Sequence, residues 1–310
     1  MKKNEYLKIL DQVVTLTSNQ NLRRLSVFEF LAGELILYSM IVFDLFPSIS
    51  LAIIMFRHFS LMHDASHGTI SRNKKWNDFI GNFSGILCFL PYQQWRQVHL
   101  EHHYWTGNYV QDPSMSVIKK YEDYPQWIKN IWSISWKLWI PNLALTQQLV
   151  FWAVSMTKLK TNGRTEKFLA ITPILFWIPL FLIRPVMIGF SIFFYLFLVE
   201  LVNFPHHLEM PHSSNGKAPV WEQGIATRSC RYPKFFSRFV VLHFNHHLAH
   251  HLFMKVPWYL LPRVQTMVEL SEGETFQNET FFNWTLQARK KDFTEIIDGT
   301  KKTENLKAAA

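Results

Sequence analysis

Residues 186–207 read VMIGFSIFFYLFLVELVNFPHH. Val186–Val202 is apolar almost throughout and runs straight into Asn203, His206 and His207. A bilayer-spanning helix needs roughly 20 mostly apolar residues, so this stretch reads as a membrane helix whose end carries metal-binding side chains. Before it, Phe168–Ile183 is a second apolar run, and Arg184 and Pro185 between the two predict a helical hairpin. Ser26–Phe46 and Ile49–Met62, divided by Pro47, make another pair. Glu29, Glu34 and Asp44 interrupt the first of these, which points one face inward or places Glu29 at the interface. Asn77–Pro91 is too short to span and is expected as a half-inserted segment or a buried helix. The first 25 residues are polar and basic, unlike a signal peptide.

Basic residues set the orientation, because cytoplasmic loops carry an excess of Lys and Arg. Lys2, Lys3, Lys8, Arg23 and Arg24 precede the first run, and Arg72, Lys74 and Lys75 follow the second. Eight more lie between Lys119 and Lys167, before the third. The turn at Pro47 has none and the turn at Pro185 has only Arg184. Four spans then put both termini and every histidine on the cytoplasmic face. Trp127, Trp132, Trp136 and Trp139 precede Pro141. They predict an amphipathic helix in the headgroup region, with the lining of a lipid substrate as the alternative.

The fourteen histidines fall in four windows: 58–67, 99–103, 206–212 and 243–251. His63 and His67 in HDASH are spaced i, i+4. His99, His102 and His103 in HLEHH, and His247, His250 and His251 in HLAHH, are spaced i, i+3, i+4. On a helix each set projects from one face. These eight imidazoles exceed the four ligands of one tetrahedral ion, which predicts two metals. Glu200, Asn203 and His207 share a face at i, i+3, i+7, which makes His207 a ninth candidate ligand, with His206 as its alternative. Asn203 would reach a metal through water, and Glu200 and Asp64 would accept N–H bonds from ligating rings. His58, His212, His243 and His246 are read as bystanders or as groups just outside the ligands.

The chain has 310 residues and a net charge of +9, with 48% apolar and 16% aromatic residues, which excludes a disordered protein. Two cysteines exclude a disulfide scaffold and cysteine-rich zinc or iron–sulfur sites. Nothing points to nucleic acid. A histidine-rich transporter would place its site near the bilayer midplane, whereas these histidines lie at and beyond the ends of spans. A nitrogen-rich pair of metals beside an apolar bundle points to an oxygen-dependent oxidase or oxygenase acting on a hydrophobic substrate. The expected fold is an all-α integral membrane bundle of about four transmembrane helices, with a cytosolic helical cap holding the dimetal site. It is expected as one domain over 1–310, with 1–25 a cytosolic N-terminal segment and 299–310 a disordered tail.

HDASH, HLEHH and HLAHH, in that order, resemble the three histidine boxes of the membrane fatty acid desaturase family. HHLFMKVPWYLLP, from His250 to Pro262, resembles the stretch after the third box. LVNFPHH resembles the family's asparagine–histidine element, and TRSC at Thr227–Cys230 is similar to bacterial members. The resemblance implies a diiron centre, O2 as co-substrate and a double bond formed in an acyl chain carried as lipid, acyl-CoA or acyl carrier protein. Hydroxylases and carotenoid ketolases use the same boxes. It implies iron ligands His63, His67, His99, His102, His103, His247, His250 and His251, with His207 the extra histidine. His243 and His246 depart from the family pattern and leave an alternative register, His243–His246–His247, for the third box. The electron donor would be a separate ferredoxin-, rubredoxin- or cytochrome-type protein. The location implied is a membrane, most simply a bacterial inner membrane with the site on its cytoplasmic side.

Overall fold

The computed structural model describes residues 1–18, 20–158, 163–212, 216–272 and 278–301. Helices α1 (Lys3–Thr17), α2 (Gln20–Val42), α3 (Pro47–His67), α4 (Lys74–Leu87) and α5 (Tyr92–Trp105) come first. They are followed by α6 (Ser116–Glu122), α7 (Gln126–Lys137), α8 (Asn142–Lys158), α9 (Arg164–Ile183) and α10 (Pro185–Asn203). The chain closes with α11 (His247–Leu252), α12 (Leu261–Glu272), α13 (Phe281–Ala288) and α14 (Phe293–Lys301). The only strands among the described residues are β1 (Ser229–Arg231) and β2 (Asn278–Thr280), paired in parallel. The fold is thus all-helical in substance.

Among the described residues, three helices are long and apolar enough to cross a membrane: Gln20–Val42, Arg164–Ile183 and Pro185–His206. Phe28, Leu35, Ile178 and Leu182 stand more than half exposed on α2 and α9, an apolar surface of the kind that marks a membrane or protein contact. The expected fourth span is the helix α3. Its buried body carries Arg57 and His58, so it falls outside that set. Arg57 explains Glu34, since its Nε lies 2.6 Å from Glu34 Oε1 and one amino group donates to Phe30 O at 2.8 Å. A charge inside an apolar helix is tolerable only with such a partner.

The hydroxyl of Ser48 donates to Met187 O at 3.1 Å, so α3 and α10 begin side by side. Both run the same way; histidines close α3 and follow α10. Asn77–Pro91 forms α4 and the turn after it. Gly81 lets the Tyr92 ring lie against α4, because a Cβ there would stand 2.3 Å from Tyr92 Cζ. One core joins α3, α10, the turn after α4 and the start of α5. A second gathers α6, α7 and the C-terminal helices, and a third joins α1 to α11 and α12. These two lie toward the histidine end.

Helix α7 is amphipathic as expected. Trp132 and Trp136 are buried, and Trp127, Ile131, Ile134 and Leu138 form an exposed stripe at i, i+4, i+7, i+11. None of the four tryptophans lines the large cavity beside the histidines. Gly299–Lys301 complete α14, and the Thr300 hydroxyl accepts from Glu209 N at 3.0 Å, so the expected tail does not begin at 299. Residues 302–310 lie outside the described residues.

Candidate metal centre

Three helices and one turn deliver the histidines. Helix α3 ends on His63 and His67, and Gly68 terminates it in the left-handed region at φ 72°. Helix α5 carries His99, His102 and His103, and α11 carries His247, His250 and His251. His207 follows the single helical turn that closes α10. Nine imidazoles from these four places form two buried groups. The first is His63, His67, His99, His103 and His250; the second is His102, His207, His247 and His251. In each, one nitrogen per ring lies within 4.8 Å of all the others.

In the first group His67 and His99 meet Nε2 to Nε2 at 2.8 Å, His99 and His103 at 3.1 Å, and His103 and His250 at 2.9 Å. In the second, His207 and His247 stand at 3.0 Å, His247 and His251 at 3.1 Å, and His102 and His251 at 3.3 Å. Two nitrogens bound tetrahedrally to one ion at about 2.05 Å stand about 3.3 Å apart, close to this spacing.

The proton positions test the fit to a cation. His102 Nδ1 lies 2.9 Å and 3.0 Å from the two oxygens of Asp112. The Thr106 hydroxyl donates to His102 O at 2.7 Å, which leaves its lone pair facing His251 Nδ1 at 3.3 Å. His207 Nδ1 faces Ala226 O at 3.2 Å. All three rings therefore hold their proton on Nδ1, since a neutral imidazole carries only one. The contact of His102 Nε2 with His251 Nε2 is then lone pair against lone pair, repulsive unless a cation sits between them. His63 Nε2, in the first group, is buried with no hydrogen-bond partner. An all-imidazole donor set suits iron, copper, zinc or nickel.

Burial and mutual repulsion push His99, His103, His207, His247, His250 and His251 toward the neutral form. Burial, then His102, pushes His207 down to about 3. Burial, then neighbouring imidazoles, holds His103, His250 and His251 well below the ordinary value. Burial raises the Asp112 carboxyl, but His102 and Ser114 together bring it below its ordinary value.

Of the expected neighbours, Asp64 accepts from Trp258 N at 2.8 Å and stands 3.6 Å from His63 Nδ1. Asn203 lines the cavity. Glu200 touches no histidine, contrary to expectation. Arg289 donates to it at 2.7 Å and Ala144 N at 3.1 Å, because its side chain leaves α10 toward the start of α8. His206 stacks on His247 with ring centroids 4.3 Å apart and belongs to neither group. His243 pairs with the Ser237 hydroxyl at 2.9 Å and also stays outside, so the earlier register of the third box does not assemble. His58 and His212 stay outside too, His58 against Ser84 and His212 against Met210 O.

Sequence reasoning missed Asp112, Thr106 and Arg289. Asp112 sits in an Asp-Pro turn ten residues after His102, and no helical spacing links the two.

A cavity of about 280 Å³ opens beside the site. His63 and His99 reach it from one group and His102, His207 and His247 from the other. Phe59, Trp95, Tyr195, Val199 and Phe244 make its wall apolar.

Membrane-length apolar helices, one of which leads into two buried imidazole groups able to hold metal ions, mark the class of a membrane-type protein with a candidate metal site. The Fatty acid desaturase family matches residues 42–275, and the chain belongs to it. It is 28% identical over 264 residues to the sn-1 oleoyl-lipid 12-desaturase of Picosynechococcus sp., covering 77% of this chain and 73% of that one. It is 26% identical over 212 residues to the beta-carotene 4-ketolase of Protosiphon botryoides, covering 66% of this chain and 46% of the ketolase. A third relative is the sn-1 acyl-lipid omega-3 desaturase (ferredoxin) of Nostoc sp., 24% identical over 243 residues, 70% of this chain and 65% of that one.

Proposed function

We propose that this chain is an O2-dependent fatty acyl desaturase with a diiron centre. The observation that carries this reading is the apolar cavity that touches both imidazole groups at once. His63, His67, His99, His103 and His250 would hold one iron, and His102, His207, His247 and His251 the other. When bound, such a pair supplies O2 activation strong enough to break unactivated C–H bonds. Overall, O2 accepts four electrons, two from the substrate's adjacent C–H bonds and two from an external donor. With two protons from water the products are one double bond and two waters.

The chain's own residues prepare the site. Asp112, Thr106 and Ala226 O fix the protons of His102, His251 and His207 on Nδ1, so their Nε2 atoms would be free to hold a metal. Phe59, Trp95, Val199 and Phe244 hold an acyl chain by apolar contact and exclude water from the reacting methylenes. Asn203 at the wall would hold a water-borne contact to the second iron.

The chain is read as one desaturase-like domain with α3 as a fourth membrane helix. The histidine end and the two flanking cores form a cytosolic cap, in a membrane such as a bacterial inner membrane. The charge asymmetry of the loops supports that orientation. A ferredoxin-, rubredoxin- or cytochrome-type protein would deliver the electrons, and the ferredoxin in the name of the Nostoc relative favours the first. The oleoyl-lipid relative favours a lipid-borne acyl chain over acyl-CoA or acyl carrier protein. The ketolase relative keeps oxygen insertion into a carotenoid as the second reading.

Lipid profiling of a host expressing the chain, beside His250→Ala, tests both. Acyl chains lighter by two hydrogens, absent with the variant, support desaturation. Oxygenated products support the second reading, and identical profiles overturn both.

A further inference from the structure

We propose that the surface over the C-terminal end of α3 is the docking site for an acidic electron-carrier protein. The inference rests on the reading of the histidine site as a redox centre and names the partner that site would use.

Three cations from three separate elements converge there. The Arg23 guanidinium, from α2, donates to Ile70 O at 2.7 Å. Arg96 Nε, from α5, donates to Ser66 O at 3.0 Å. Lys255 Nζ, from the loop after α11, donates to His67 O at 2.8 Å. Positive side chains are favoured where a helix leaves its last carbonyls unpaired. One cation would suffice for that; three, drawn from far apart in the chain, fix a positive surface in place. Arg23 and Lys255 are exposed; exposed Arg24 follows Arg23, and exposed Arg72 and Lys75 follow Ile70 in the segment after α3, adding to the charge.

The same spot lies directly beside the site. His67 is 2% exposed, and its imidazole meets His99 at 2.8 Å in the first group. The next residue, Gly68, is exposed, and a Cβ built on it would meet nothing within 4 Å. A docked protein could therefore lay its redox group one residue from a buried imidazole of the site. Electron transfer weakens steeply with distance, so this exposed point is favoured over routes through the packed flanking cores. Two carriers would each be oxidised by one electron per turnover, with no bond in either protein made or broken. A surface of opposite sign steers such an encounter and makes it sensitive to salt.

Anionic lipid headgroups would also meet cations at the ends of membrane helices. The test separates the two. The full chain, in nanodiscs of neutral lipid, is titrated with oxidised plant-type ferredoxin. Arg23→Gln/Lys255→Gln is expected to weaken binding about tenfold at low ionic strength and to flatten its salt dependence. Lys255→Arg should keep the affinity. In turnover, the double variant should raise KM for reduced ferredoxin, leaving kcat and the rate with a small neutral reductant unchanged. Unchanged ferredoxin binding overturns the proposal. So does an equal loss with both reductants, or weakened binding to phosphatidylglycerol vesicles with ferredoxin unaffected. Because binding needs no turnover, a chain that binds ferredoxin through these residues yet holds no iron refutes the redox reading alone.

Discussion

Asp112 is the residue on which the second imidazole group turns. It accepts from His102 Nδ1 through both oxygens and is itself held by Ser114, whose amide and hydroxyl donate at 2.8 Å and 2.7 Å. Partners of this kind fix the tautomer of a ligating ring, and losing one typically costs 10–100-fold in metal affinity. Asp112→Asn is therefore expected to lower the iron retained through chelator dialysis, read by metal analysis. His212→Ala, outside both groups, should retain wild-type iron. The buried rings also give acid sensitivity a sign. His207 is held down to about 3 and His246 down to about 4, burial being the main cause, while unfolded histidine titrates near ~6.5. Below ~6.5 the unfolded chain takes up protons that the folded chain refuses. Their contribution to stability is complete above that pH and is lost as the pH falls toward the folded values. Metal-free protein in detergent should show a falling Tm between about pH 7 and about pH 5; a flat Tm would mean that solvent reaches the rings.

At the scale of elements, α4 is the case where sequence left the choice open. Asn77–Pro91 is apolar but short, which suits a buried helix and a half-inserted segment equally well. Packing decides it. Gly81 and Gly85 share a face and let the start of α5 close against α4, with a built Cβ at Gly85 only 2.6 Å from Leu90 O. Trp76, Phe79 and Phe83 point the other way and are exposed. Gly81→Ala drives a methyl into the Tyr92 ring and should cost about 1–3 kcal/mol, the usual range for overpacking. A thermal-shift measurement checks this, and adding Tyr92→Ala should recover part of the loss. By contrast, the helices carrying the three boxes were legible, because i, i+3, i+4 spacing only makes sense on a helix.

Across the whole molecule, one buried ion pair ties the apolar bundle to the C-terminal helices. Glu200 on α10 accepts from Arg289 at 2.7 Å, and the same guanidinium donates to Trp136 O at 2.8 Å and lies 3.7 Å over the Trp136 ring. Both side chains are almost fully buried, at 1% and 3% exposure. Removing one partner strands the other charge, at a cost of about 3–5 kcal/mol. Arg289→Met should thus lower stability by several kcal/mol in denaturant titration, and Arg289→Met with Glu200→Gln by less. If the two variants are equally destabilised, the pair is not coupled.

The amino-acid order alone determined that the chain is helical, that two of its long apolar runs end in histidines, and that the histidines come in faces. Such features are local and repeat with the turn of a helix. The tertiary structure decided which imidazoles stand together, since His102 and His251 meet across nearly half the chain. It also turned Glu200 to Arg289 and Asp112 to His102, and left His206 and His243 outside. Those outcomes depend on where folded elements bring distant residues, and spacing along the chain carries no record of that.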